Sequence, residues 1–387
     1  MSRIVVIGAL PESLLTFRGD LLKALVNAGH DVTGMAAETN NALVRQLASI
    51  GVGFRAYPVQ RNGMNPLKDA QTYLALRKVL RDLRPDIVLS YTIKPVVWGG
   101  IAAKGVAGSR FYALITGLGF AFQPGGCKQR ILNGLVTCLY HWSLISAKKV
   151  IFQNKNDLQL FVGRKIVDER RCIVVDGSGV NLDHYVASPL PTGNMAFLMI
   201  ARLLGSKGLR EYAKAAQLVH EKYPHVTFHL VGPEDPSPDG LPLSEVRNWQ
   251  ASGVLQYMGA TADVRPFIKQ CHILVLPSYH EGMPRTVLEA MSMGRAIITT
   301  DAPGCRETIR LTHIGLKQKV KGEPVMDGEN GFLVPVKDVL SLAHAMERFI
   351  LHPELVETMG RCSRRIAEER FDVHKVNGDM LRTMALI

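Results

Sequence analysis

No stretch of about 18 apolar residues free of charge occurs in this chain of 387 residues, so no membrane-spanning helix is expected. The nearest approach, residues 131–147 (ILNGLVTCLYHWSLISA), is interrupted by Asn133, Thr137 and His141. It reads either as a helix buried in a core or as one half-sunk in a membrane interface, with Lys128 and Arg130 before it and Lys148 and Lys149 after it. Cysteine is sparse: the six at 127, 138, 172, 271, 305 and 362 form no Cys-x-x-Cys pair and no Cys/His ligand cluster. They read as reduced thiols of a cytosolic protein rather than as disulfides or zinc ligands. The loop after the first apolar run lacks G-x-G-x-x-G, which disfavours a dinucleotide site there. Repeats of 20–50 residues are missing too. The opening MSRIVVIG has too few apolar residues for a signal peptide and suits a first buried strand.

What the chain has is apolar material and positive charge. Hydrophobic residues make up 47% of it, enough for full cores, and its length suggests two domains. A formal charge of +12 favours a polyanionic partner: nucleic acid, an anionic membrane face or phosphorylated substrates. The lysines are dispersed, with neither a recognition helix nor an aromatic RNA-binding strand, so no nucleic acid is expected.

Apolar runs and helical periodicity alternate almost throughout. Residues 2–9, 31–35, 54–58, 87–90, 110–115 and 149–153 read as strands, with helices over 18–28, 41–50 and 67–83. Gly29 and Gly51 stop the first two helices, and the Arg84–Pro85 step ends the third. The alternation resumes with strands at 195–201, 225–231, 272–277 and 296–300 and helices at 208–222, 262–270 and 284–293; the remainder after about 338 reads as helices. This order implies an α/β architecture of parallel sheets, two Rossmann-like domains over 1–180 and 193–370 with an interdomain cleft. The linker falls at 176–191, and a helix near 371–387 is expected to pack back on the first domain. The polar segment 311–330, with three lysines and Pro324, reads as a surface loop.

Two stretches carry chemistry. In residues 278–290 (SYHEGMPRTVLEA), Glu281 occupies the loop after an apolar strand, Gly282 and Pro284 introduce a helix, and Glu289 follows one to two turns on. The unpaired N–H groups and dipole of that first turn suit a diphosphate, while Glu289 could reach a sugar hydroxyl. In residues 200–208 (IARLLGSKG), Arg202 ends a strand and Lys207 follows beside a helix start. A bidentate guanidinium and a compact ammonium make a clamp for a diphosphate. Taken singly, each pair reads equally well as solvated side chains; both together are far more restrictive.

IARLLGSKG, then HLVGP, then VLPSYHEGMPRTVLEAMSMGRAIITTDAPGCRE, preceded by LLTFRGDLLKAL and ITGLGFAF, resembles the family 4 retaining glycosyltransferases of GT-B fold. Within that family the chain is most similar to bacterial enzymes that add an N-acetylhexosamine to a polyprenyl-diphosphate-linked sugar in glycan or polysaccharide assembly. The resemblance implies that Arg202 and Lys207 bind the donor diphosphate, Glu281 contacts donor-sugar hydroxyls, and Glu289 holds the ribose. It further implies a backbone loop of Gly282, Met283 and Pro284 near the sugar and phosphates, close approach of the nucleotide at Gly232, and Tyr257 and Met258 flanking the base. No Asp-x-Asp occurs in that region, and the family generally does without a metal, so neither metal nor other cofactor is expected. The segment 311–330 is longer than the family leads one to expect.

The first domain should then hold the acceptor. Arg18 and Lys94 are candidate acceptor-phosphate ligands or, equally, solvated cations, and Thr116 and Gly117 of the TGLG stretch are candidates for lining the acceptor pocket. Residues 112–120 contain no histidine to assign as a base, and His280 reads as a neighbour of Glu281. The expected partners are a UDP-sugar donor, a lipid-diphosphate-linked acceptor and an anionic membrane surface, with a cytoplasmic protein peripheral on the inner face of the cytoplasmic membrane. A UDP-sugar 2-epimerase on a similar fold is the alternative.

Overall fold

The computed structural model describes all residues except 61, 62, 64, 119–121 and 123–125, and at 127–129 the backbone alone. Gly119, Gln123 and the side chain of Lys128 therefore lie outside the described residues. The chain forms two compact units, Met1–Ser178 with His374–Ile387, and Gly179–Val373.

The first unit is built on strands β1 (Arg3–Ile7), β2 (Asp31–Ala36), β3 (Val52–Ala56), β4 (Ile87–Tyr91), β5 (Arg110–Ile115), β6 (Ala147–Phe152) and β7 (Cys172–Val174), in the order β3-β2-β1-β4-β5-β6-β7. Every pairing is parallel; Val5, for example, sits between Thr33 and Val88. The central strands are buried on both faces and so appear in sequence as unbroken apolar runs such as IVLSY. Residues 374–387 add Met380, Leu381 and Met384 to the core formed with Leu22, Leu25 and Leu114.

Local signals explain several helix ends. Asn40 caps Asn41–Ser49, and Asn65 with Pro66 starts Pro66–Leu83, which stops at left-handed Arg84 before Pro85. The helix Ile93–Ala103 is, like Lys155–Gly163 and Leu243–Ala251, not foreseen from periodicity. Its residues IKPVVWGGIAA are apolar nearly all round, so no 3.6-residue stripe marks it. The segment 131–147 lies largely in the helix Cys127–Leu144. Tyr140, Ser143 and Leu144 face the core, but Ile131, Leu135 and Trp142 are exposed, so the buried reading fails for the outer face.

The second unit carries β8 (Ala196–Ile200), β9 (Thr227–Val231), β10 (Gln256–Tyr257), β11 (Ile273–Leu276), β12 (Ala296–Thr300), β13 (Met326–Asp327) and β14 (Gly331–Val334), in the order β10-β9-β8-β11-β12-β14-β13. All neighbours are parallel except β13 on β14. The expected surface loop at 311–330 is corrected here: it contains the helix His313–Lys321, capped by Thr312, followed by β13. Gly315 makes this possible, because a Cβ there would lie 1.9 Å from the Asp327 carbonyl oxygen. Cys138, Cys172, Cys271, Cys305 and Cys362 are free thiols, and burial pushes those of Cys271 and Cys305 up to about 12. Among the described residues no helix is long and apolar enough to cross a membrane.

Candidate active site

In each sheet the strand order reverses beside the unit's first strand, between β1 and β4 and between β8 and β11. A parallel sheet opens a crevice outside the carboxyl ends of its strands at such a point. Residues expected to bind the donor gather at those ends of the second sheet: Arg202 and Lys207 after β8, Gly232 after β9, Tyr257 and Met258 at β10, and 281–284 after β11.

The reversal point itself is bridged by charge. Lys207 Nζ pairs with Glu281 Oε1, which also accepts the Ser278 hydroxyl at 2.7 Å. The backbone sets this up. Gly208 is left-handed (φ 77°), and a Cβ there would come within 2.2 Å of the Pro277 carbonyl oxygen, so the loop after β8 lies directly on the end of β11. Tyr279 N–H donates to Ser206 O, and Glu281 N–H to Pro303 O, both at 2.9 Å. Arg202 does not join this pair; its guanidinium binds Asp235.

Pro284 stands at the N-cap of the helix Arg285–Ser292, one position earlier than a first-turn proline. Glu289 is the fifth residue of that helix and is 6% exposed, with Arg285 Nε donating to it at 2.9 Å. Burial raises its carboxyl above the usual range, and Arg285 only partly offsets this. Tyr185, also inside, has its phenol raised by burial and by Glu289. Gly282 is buried, and Met283 packs against the unit's core. Tyr257 donates its hydroxyl to Gly232 O at 2.8 Å, bracing the end of β9, while Met258 is exposed.

Of the residues expected to serve the acceptor, Arg18 is buried with its guanidinium 5.2 Å from the centre of the Tyr91 ring. Lys94 is ion-paired with Asp69 at 2.7 Å. Thr116 and Gly117 follow β5, with Gly117 at φ 135°. Several polar residues of the second unit are not marked by the sequence reading: Asp235, Asp239, Ser278, Arg285 and Tyr185. The two aspartates share the loop PEDPSPDG, whose prolines signal a turn but whose spacing matches no ligand motif.

Comparison with known proteins agrees with this geometry. Residues 195–352 match the model of the glycosyl transferases group 1 family, and residues 16–177 that of the glycosyl transferase 4-like domain. The N,N'-diacetylbacillosaminyl-diphospho-undecaprenol alpha-1,3-N-acetylgalactosaminyltransferase of Campylobacter jejuni is 31% identical over 322 residues, 80% of this chain and 83% of the relative. The UDP-Gal:alpha-D-GlcNAc-diphosphoundecaprenol alpha-1,3-galactosyltransferase of Escherichia coli is 25% identical, covering 82% and 80% respectively. Among solved structures, Anabaena Alr3699/HepE in complex with UDP-glucose superposes over 100% of both chains with a TM-score of 0.77 at 18% identity. These matches lend no support to the epimerase alternative. Two Rossmann-like units with a charged reversal point in the second, and sequence kinship over most of the length, lead to one conclusion: the chain belongs to the group 1 glycosyltransferases and is a hexosyltransferase.

Proposed function

We propose that the enzyme transfers an N-acetylhexosamine from a UDP-sugar, with retention of anomeric configuration, to a polyprenyl-diphosphate-linked glycan intermediate in bacterial glycan assembly. The observation that carries this reading is the Lys207–Glu281 pair at the β8/β11 reversal, with Arg202 on the same strand end and Glu289 on the helix that follows. Both relatives named above bear names that specify undecaprenyl-diphosphate-linked acceptors.

In this reading the bond between the donor's anomeric carbon and its phosphate oxygen breaks, and the acceptor hydroxyl oxygen bonds to that carbon from the same face. The hydroxyl proton passes to the departing phosphate. Arg202, Lys207 and the N–H groups opening Arg285–Ser292 stabilise the charge growing on UDP, where preorganised donors act most strongly. Glu281 takes the sugar hydroxyls and Glu289 the ribose. With these cations in place turnover is expected to survive EDTA. The test is UDP release from a panel of UDP-sugars with a polyprenyl-diphosphate-linked acceptor. Release should depend on one UDP-hexosamine and on the lipid, and fall by at least about 100-fold in Glu281→Ala and Arg202→Ala. Conversion of the sugar nucleotide without UDP release would overturn the transferase reading.

The acceptor is placed on the first unit, near Arg18, Lys94, Thr116 and Gly117, and the protein on the inner face of the cytoplasmic membrane as a peripheral enzyme. What supports this is the outer face of Cys127–Leu144. Ile131, Leu135, Cys138, Trp142 and the following Ile145 are all exposed and recur at intervals of four and three, one stripe of the helix surface. Between Asp86 and Asp157 the sequence has no acidic residue, while Lys104, Arg130, Lys148 and Lys149 lie there. An apolar stripe within a stretch of sequence that carries basic but no acidic residues suits an anionic lipid surface. Vesicles containing anionic lipid should bind the protein at low salt and shift Trp142 emission to the blue; Leu135→Glu should abolish both effects. Binding unchanged in Leu135→Glu would remove this helix from the membrane contact.

A further inference from the structure

The loop after β9, residues 233–241, grips the segment that bears Arg202 and Lys207 along its length. Leu203 N–H donates to Pro233 O and Gly205 N–H to Asp239 O, each at 2.9 Å, and Leu241 N–H donates to Leu203 O at 2.8 Å. Two carboxylates add to this. One oxygen of Asp235 accepts the Ser237 N–H at 3.0 Å, and the other takes the Arg202 guanidinium. Asp239 accepts the Ser206 N–H at 3.0 Å and the Ser206 hydroxyl as well. The loop positions Asp235 independently of its partner. Pro233, Pro236 and Pro238 limit its backbone, and at Gly240 a Cβ would lie 2.0 Å from the Asp235 carbonyl oxygen.

We propose that Asp235 is a positioning residue for Arg202: it fixes the guanidinium through one nitrogen and turns the remaining N–H donors toward the donor diphosphate. This rests on the donor-site reading given above. The pair is asymmetric in the way the role requires, with the Asp235 side chain 5% exposed and that of Arg202 40% exposed. A free arginine must give up rotamer freedom when it binds a phosphate, whereas one already held loses less for each bond it forms. Burial works to raise the Asp235 carboxyl, but Ser237 and Arg202 outweigh it and hold the group below the usual carboxylate range, so it stays ionised beside its partner. Its negative charge also opposes the diphosphate. That opposition is weakened because the carboxylate sits behind the guanidinium and is already bound by Ser237.

The test is a double-mutant cycle on the full chain, reading UDP affinity by titration calorimetry and kcat/KM for the UDP-sugar. Asp235→Asn should weaken both by roughly 10-fold, Arg202→Ala by at least as much, and the double variant should be no worse than Arg202→Ala alone. A merely structural role would instead add its loss to that of Arg202→Ala, and additivity overturns the proposal. So does an Asp235→Asn variant with unchanged UDP affinity. If Arg202→Ala itself leaves UDP affinity and turnover unchanged, the donor-site reading fails and the proposal falls with it. Should Asp235→Asn not fold, Asp235→Glu takes its place in the cycle. It keeps the charge, moves it by one methylene, and should show the same non-additivity with a smaller loss.

Discussion

The two reversal points share a topology and differ in what fills them. Between β8 and β11 a lysine meets a glutamate, with half-buried charge and glycine backbone close by. Between β1 and β4 the corresponding space is packed with phenols. A Cβ on Gly8 would lie 2.2 Å from the Tyr91 hydroxyl, Tyr57 donates its hydroxyl to Gly8 O at 2.7 Å, and Tyr91 shares a 2.7 Å bond with Ser13. Burial pushes the Tyr91 phenol up to about 12, so it stays neutral at physiological pH, with the Arg18 guanidinium against its ring. Strand order says where a crevice must open in such a sheet, and side chains decide what fills it.

The sharpest way to break this contrast is Lys207→Met. Removing a preorganised charge from the second reversal point should lower kcat/KM for the UDP-sugar by about 10²–10³-fold. A loss below about threefold would mean that the charged pair is structural, like the phenols. Next comes a matched pair of glycines. Gly8→Ala must displace Tyr91 and should lower stability by roughly 1–3 kcal/mol, seen as a lower thermal midpoint with UDP affinity unchanged. Gly232→Ala faces the Ala201 carbonyl oxygen at 1.8 Å from a φ of 153°, and should lower stability and UDP affinity together. If both variants behave alike, the two ends are not functionally distinct.

The smallest effect concerns Glu289. Its folded carboxyl is raised above the ordinary value of 4.5 by burial, so the fold favours its protonated form. That contribution is fully present below the unfolded-state value and is lost as pH rises through the folded one. Glu289→Gln should therefore gain in thermal midpoint on the parent protein as pH goes from about 4 to about 7. No gain would mean that Arg285 offsets the burial.

The alternation of strands and helices was legible because both sheets bury their central strands on two faces, which leaves runs such as ILVL and AIITT unmistakable. Motif residues were legible where strand, turn and helix follow each other directly, as from Ile273 to Ser292. Asp235 and Asp239 were not, because they act on Arg202 and Ser206 from a neighbouring strand's loop, and nothing local marks that reach. Tyr91 lies just past the strand read at 87–90; only its approach to Gly8 reveals a plug. The helix His313–Lys321 was hidden by its polarity, since it packs through a glycine rather than through an apolar stripe.

The return of residues 374–387 to the first unit bears on the order of synthesis. In sequence the second unit is an insertion into the first. A nascent chain can close the second unit once residue 373 has left the ribosome, yet the earlier-made unit still waits for Met380, Leu381 and Met384 to complete its core. The half translated first is finished last, and a premature stop near residue 375 would injure the end of the molecule most distant from it in sequence.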